Sequence, residues 1–216
     1  MKYDLYVITG DTLSGGISPE IVAERAIAGG ADIIQLRNKK GDCRDLIRMG
    51  RLIREITRRT GTALIVNDRL DAAIACGADG VHLGQTDMRV DVARQIAPRP
   101  FVIGVSVGTV EEAVSAQEDG ADYIALSPTF STRSKDDAGP GHGLERLLEI
   151  RRRVSIPLIA IGGIDRDNAV EVIRAGADGI AVISAVGESP DITAAARELK
   201  ALVIGSRKVV RLRTGK

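Results

Sequence analysis

Gly30-Ala31-Asp32-Ile33-Ile34-Gln35-Leu36 decides the fold, because its opening triplet returns three more times, at Gly77-Ala78-Asp79, Gly120-Ala121-Asp122 and Gly176-Ala177-Asp178. Each copy follows a segment of helical period and precedes a short apolar run: IIQL, GVHL, YIAL or GIAVI. A glycine at that place ends a helix in the left-handed conformation, and the chain then turns directly into a strand. The runs are apolar at every position and bounded by turn residues, the pattern of parallel strands buried on both faces.

Four more runs of the same kind lie between them, at 5–8, 63–66, 101–105 and 158–161. Together they predict eight strands, starting near Leu5, Ile33, Ala63, Gly80, Phe101, Tyr123, Leu158 and Gly179. Helix starts are marked by Pro19 after Ser18, by Thr109 ahead of Glu111 and Glu112, and by Asp165 ahead of Asn168-Ala169-Val170. Eight strands alternating with helices predict a single α/β domain, a (β/α)8 TIM barrel over residues 1–204, with 205–216 as a disordered basic tail. An open doubly wound sheet is the alternative. It needs a reversal of strand order, and the G-x-G-x-x-G fingerprint is missing after the first strand.

Composition narrows the function. The chain has 216 residues, 44% of them hydrophobic, so it can bury a core and is not intrinsically disordered. Only three Tyr and two Phe are present, too few for the stacking platforms of single-strand nucleic-acid binding. Net charge is +1, and five positive charges fall in the tail SRKVVRLRTGK, read as a solvated end rather than an RNA or lipid contact. Arg151, Arg152 and Arg153 read likewise as an exposed helix end. Cys43 and Cys76 have no partner motif, which fits a reducing cytoplasm and neither a disulfide framework nor a zinc site. Uncharged stretches such as 154–164 are too short to span a bilayer, and MKYDLYVITG reads as a strand with no signal peptide ahead of it. Small-molecule partners are therefore expected, without nucleic acid or membrane; homo-oligomerisation is left open.

Chemistry in such barrels gathers at the C-terminal ends of the strands. Strand two ends QLRNKK, and alternation sends Gln35, Arg37 and Lys39 one way while Leu36 faces the helices. An amide and two cations converging at the mouth suit a polyanion such as pyrophosphate; the alternative is two rim cations in solvent. Strands three and four end IVNDR and HLGQTD, adding Asn67, Asp68 and Asp87. Two carboxylates from adjacent strand ends suit Mg2+, although both also precede helices and read equally as N-caps. Strand five offers Ser106. The stretch SPTFSTRSKDDAGPGHG after strand six, with Thr132, Ser134 and Lys135, suits a phosphate-wrapping lid or a plain surface loop. After strands seven and eight, Gly162, Gly163 and Ser184 stand where these barrels bind phosphate; a turn that needs glycine for its backbone angles is the alternative. His82 reads as a satisfied core or mouth histidine outside the catalytic set, and His142 as exposed. No Ser/His/Asp or Cys/His arrangement stands out.

The series QLRNKK, IVNDR, GVHLGQTD, IGVS, STRSK, AIGGI and AVISA, in this order and spacing, resembles the thiamine-phosphate synthases over residues 3–202. The resemblance implies a cytoplasmic, magnesium-dependent transferase. It joins a hydroxymethylpyrimidine diphosphate to a hydroxyethylthiazole phosphate and releases pyrophosphate. By motif, Gln35, Arg37, Lys39, Asn67, Ser106 and Lys135 would bind the pyrimidine diphosphate. Asp68 and Asp87 would hold Mg2+, and Thr132, Ser134, Gly163, Ile183 and Ser184 would bind the thiazole phosphate. Arg37, Lys39 and Lys135 would carry the charge stabilisation of a dissociative departure. The chain differs from the family pattern at Thr9-Gly10-Asp11 (usually Thr-Asp), Gly108 (usually His), Ser127-Pro128 (usually Gly-Pro) and Ser134 (usually Thr). The thiazole tautomerases are similar at strands seven and eight but typically lack the pyrophosphate and aspartate-pair motifs. A non-catalytic precursor-binding barrel would not need that pair.

Overall fold

Every predicted run is a strand in the computed structural model, which describes residues 1–10, 16–39, 41–132 and 139–214, with side chains to residue 207. The strands are β1 (Leu5–Gly10), β2 (Ile33–Arg37), β3 (Ala63–Asn67), β4 (Gly80–Leu83), β5 (Val102–Val107), β6 (Tyr123–Leu126), β7 (Leu158–Ile161) and β8 (Gly179–Val182). They pair in parallel in chain order, and β8 closes on β1 with Leu5 opposite Ile180 and Val7 opposite Val182. Closure excludes the open doubly wound sheet. Helices α1 (Pro19–Ala28), α2 (Cys43–Thr60), α3 (Leu70–Cys76), α4 (Val90–Ile96), α5 (Val110–Glu118), α6 (Gly143–Arg151), α7 (Ala169–Arg174), α8 (Ser184–Gly187) and α9 (Ile192–Thr214) complete the alternation.

Alternation along the strands divides the core in two. Tyr6, Ile33, Ile65, Tyr123, Ile159 and Ala181 fill the barrel interior, while Val7, Ile34, Leu64, Ile124, Leu158 and Ile180 pack beneath the helices. Gly104 makes the interior possible: a methyl group there would sit inside the Tyr123 ring.

The triplet glycines behave as expected, with φ of +103° at Gly30, +71° at Gly77, +93° at Gly120 and +108° at Gly176. The aspartates do more. Asp32 donates its backbone N–H to Leu5 O (2.9 Å) while its Oδ2 accepts from Leu5 N (3.0 Å). The same two-way clamp joins Asp79 to Leu64, Asp122 to Ile103 and Asp178 to Leu158, with every distance between 2.7 and 2.9 Å. Each carboxylate also meets a cation from the helix that precedes the odd strand: Arg54 at 2.7 Å from Asp79, Arg94 at 2.6 Å from Asp122, Arg151 at 2.8 Å from Asp178. Around the ring Lys200 of α9 serves Asp32. The barrel is thus a fourfold repeat of a two-strand unit, each locked at its base.

Two sequence expectations change here. Arg151 is not a solvated helix end, because Asp178 holds it. Nor does the fold stop at residue 204: α9 runs on to Thr214, Ser206 is buried, and Arg207 pairs with Asp4. Lys200 and Arg207 lie two turns apart on one helix face and share Asp4, which the charge count alone could not reveal. Among the described residues no helix is long and apolar enough to cross a membrane.

Replacing Asp79 by Ala strips partners from Arg54 and from the Leu64 N–H, and should destabilise the chain by ~2–3 kcal/mol in urea unfolding. Asp45→Ala, at the exposed Asp45–Arg48 pair, should cost under ~0.5 kcal/mol. Equal effects would refute the clamp.

Candidate active site

The ends of β2 to β5 deliver their polar residues to one cavity of about 280 Å3, lined by Arg37, Lys39, Asn67, Asp68, Asp87 and Ser106, with Ser127 and Pro128 on its far side. Arg37 is half-buried at the end of β2, and Lys39 is exposed at the rim. Gln35 lies deeper, inside the barrel, where its amide Nε2 donates to Tyr6 OH at 2.7 Å.

Asp68 is held in an unusual conformation. Its φ is +62°, the only positive value at a non-glycine among the described residues, and it sits at the centre of a tight turn closed by Arg69 N–H to Asn67 O at 2.7 Å. Such a turn costs on the order of 1–3 kcal/mol, and strain of this kind collects at functional sites. The Asp68 N–H is tied to His82 O at 2.8 Å, which keeps the turn against β4. Asp87 is steadied by accepting from Gly84 N–H at 2.7 Å.

Neither aspartate caps a helix: the N-caps of α3 and α4 are Arg69 and Arg89, without a side-chain cap bond. The two carboxylates instead approach each other. Burial, then the hydrogen bond and charge of Asp87, push the Asp68 carboxyl up to about 6, while Lys39 and Arg37 pull it the other way. Two adjacent carboxylates that cannot both ionise comfortably form a site that a divalent cation would relieve. Among the described residues no group of three or more His, Cys, Asp or Glu is placed to hold a metal ion.

A second cavity of about 470 Å3 opens beside the first, lined by Thr132, Gly163, Ile183 and Ser184 among others, and sharing Ser127 and Pro128 with it. Its floor explains the glycine pair. Gly162 and Gly163 have φ of +101° and +62°, and side chains there would strike Pro128 (2.7 Å) and the Ser131 carbonyl (2.5 Å). The glycines therefore satisfy a turn and a close backbone approach, the alternative kept open above, while also bordering the cavity. Backbone bonds Thr129 N–H to Ile161 O (2.6 Å) and Phe130 N–H to Gly162 O (3.0 Å) stitch the strand-six loop to β7. Ser134 and Lys135 lie outside the described residues, as does the rest of 133–138 in the middle of the expected lid.

The sequence reading missed how the interior supports the mouth. His82 is buried, with Nδ1 at 2.9 Å from Tyr123 OH and Nε2 at 2.9 Å from Ser106 Oγ. Gln85 Nε2 also donates to the Ser106 carbonyl at 2.7 Å. The inward parity of Tyr6 and Tyr123 on their strands was the available signal. At Gly108 the missing side chain leaves room for another: a Cβ there would lie 2.9 Å from His142 Nε2.

Residues 5–186 match the family model described as thiamine monophosphate synthase. The chain is 61% identical over 211 residues to a thiamine-phosphate synthase of Methanoregula boonei, covering 98% of each chain. It is 59% identical over 203 residues to one of Methanocella arvoryzae, covering 94% of this chain and 96% of the relative. A solved thiamine phosphate pyrophosphorylase from Pyrococcus furiosus superposes with a TM-score of 0.87 at 43% identity, over 94% of this chain and 96% of that one.

The raised carboxyl of Asp68 has a consequence for stability. Its folded pKa of about 6 exceeds the ordinary 3.8, so the folded chain binds this proton more tightly than the unfolded chain. Stability from that proton is complete below about pH 4 and is lost as the pH rises through about 6. Without divalent cations, Asp68→Asn should therefore gain in melting temperature over the parent between about pH 4 and pH 7.5. A difference that stays flat across that window, or shrinks with rising pH, would contradict the assignment.

Proposed function

The chain belongs to the thiamine monophosphate synthase family, and from that membership we propose that its two mouth cavities hold two phosphorylated substrates side by side. The activity is that of a thiamine-phosphate synthase, a transferase of thiamine biosynthesis. The observation that carries the finer reading is the pairing of a cavity with cations and twin carboxylates and a second, glycine-floored cavity across the Ser127–Pro128 wall. Hydroxymethylpyrimidine diphosphate occupies the first, with its diphosphate against Arg37, Lys39, Asn67 and Ser106; the family motif adds Lys135 to this set. Hydroxyethylthiazole phosphate occupies the second, its phosphate against Thr132, Gly163 and Ser184, with Ile183 at its side; the family motif adds Ser134 to this set.

The reaction breaks the bond between the pyrimidine methylene carbon and the diphosphate oxygen. The electron pair leaves with pyrophosphate, and the thiazole nitrogen then gives its lone pair to the cationic carbon. Arg37, Lys39 and Lys135 stabilise the departing charge, which suits a dissociative step better than a general base would. Mg2+ held by Asp68 and Asp87 would neutralise further negative charge on the leaving group. Ser127 and Pro128, common to both cavities, stand between the two substrates, so the cation has only this wall to pass before the thiazole nitrogen captures it. The free thiols Cys43 and Cys76 fit a cytoplasmic location.

Incubation with both precursors and Mg2+ should yield thiamine phosphate and pyrophosphate in equal amounts. Asp68→Ala and Asp87→Ala should each lower kcat by about a hundredfold or more while leaving the fold intact by circular dichroism. Near-parental turnover in either variant would refute the metal site. Thiazole isomerisation without coupling, or binding without product, would refute the synthase reading itself.

A further inference from the structure

A line of hydrogen bonds crosses the barrel interior from β2 to β5. Gln35 Nε2 donates to Tyr6 OH at 2.7 Å; Tyr6 OH lies 3.0 Å from Tyr123 OH; Tyr123 OH lies 2.9 Å from His82 Nδ1; and His82 Nε2 lies 2.9 Å from Ser106 Oγ. We propose that this relay is a positioning device: it fixes His82 as the Nε2–H tautomer and thereby commits the Ser106 hydroxyl to donate its hydrogen into the diphosphate cavity. The inference rests on the reading that this cavity takes the diphosphate.

The direction follows from the fixed end. An amide nitrogen only donates, so Tyr6 oxygen accepts from Gln35 and its own hydrogen is available to Tyr123, the other partner in this line. Tyr123 then sends its hydrogen to His82 Nδ1, and the ring carries its proton on Nε2, facing Ser106. Run the other way, the relay would aim two hydrogens at the Tyr6 oxygen and leave the Tyr6 hydroxyl without an acceptor in this line. Both phenols keep their protons at neutral pH, because burial pushes each above its ordinary value. Gly104 leaves the space in which the Tyr123 hydroxyl reaches across the barrel.

The purpose is chemical. A diphosphate presents only acceptors, so a serine that turns a lone pair toward it repels it. With its oxygen already accepting from His82, and its backbone carbonyl held by Gln85, Ser106 has its hydrogen left for the cavity. His82 is thus a positioning residue that acts through Ser106, and Tyr6 and Tyr123 act through His82.

Nitrogen-15 NMR of the whole chain labelled at histidine reads the tautomer directly, with His142→Gln separating the two signals. His82 Nδ1 is expected as an unprotonated acceptor and Nε2 as protonated; a proton on Nδ1 would overturn the relay. Calorimetry with inorganic pyrophosphate and Mg2+ supplies the second arm. His82→Leu and Ser106→Ala should each weaken pyrophosphate binding about tenfold or more, and the double variant should bind no worse than Ser106→Ala. Losses that multiply instead would reduce His82 to a packing role and overturn the proposal. The two failures are distinguishable. A wrong tautomer sinks the relay while thiamine phosphate still forms, whereas a parent chain with no affinity for pyrophosphate sinks the reading of the cavity and the relay's purpose with it.

Discussion

Four aspartates at the closed end of the barrel set the conditions for everything at the open end. Asp32, Asp79, Asp122 and Asp178 each bind the backbone of an odd strand in both directions and neutralise a helix cation. A buried peptide group that lacks a partner is expensive, and strand starts at a barrel rim are where partners run out. The clamp satisfies those groups and ties each helix to the strand pair it serves. The strand ends at the mouth then carry no burden of closure and are free to hold groups chosen for chemistry.

What they hold is locally unfavourable. Asp68 sits in a backbone conformation that side chains avoid and beside a second carboxylate that raises its proton affinity. Arg37 and Lys39 offset only part of that repulsion. Such an arrangement persists because the surrounding barrel over-determines it, with Asp68 N–H tied to His82 O and Asp87 to Gly84 N–H. A cation and a diphosphate arriving together would turn this repulsion into binding energy. The neighbouring cavity is built on a different principle: Gly162 and Gly163 bring the strand-six loop close against β7, and the wall so formed separates the two cavities.

Much of this was legible because period and parity are properties of the chain itself. The triplet glycines needed positive φ, so helix ends and strand starts could be read directly, and alternation sent Gln35 inward and Leu36 toward the helices as expected. The aspartate of the triplet was harder. Its partners Leu5, Leu64, Ile103 and Leu158 stand 15 to 27 residues upstream, and only closure brings them within reach. The same holds for the approach of Asp68 to Asp87, which local sequence could equally read as helix caps. Residues 205–207 looked like a solvated tail because charge counts ignore the helix face on which Lys200 and Arg207 meet Asp4. His82 was read correctly as satisfied. Its consequence for Ser106 depends on Tyr123 crossing the barrel over Gly104, which no local pattern announces.

The central claim is that the cation-lined cavity takes the diphosphate and the metal, and the glycine-floored cavity the second phosphate. The most direct measurement is a crystal structure with Mn2+ and inorganic pyrophosphate, using the anomalous signal of the metal. The account predicts a metal peak between Asp68 and Asp87, with pyrophosphate against Arg37, Lys39 and Ser106. A metal bound elsewhere, or pyrophosphate lodged only beside Gly162 and Gly163, would contradict it.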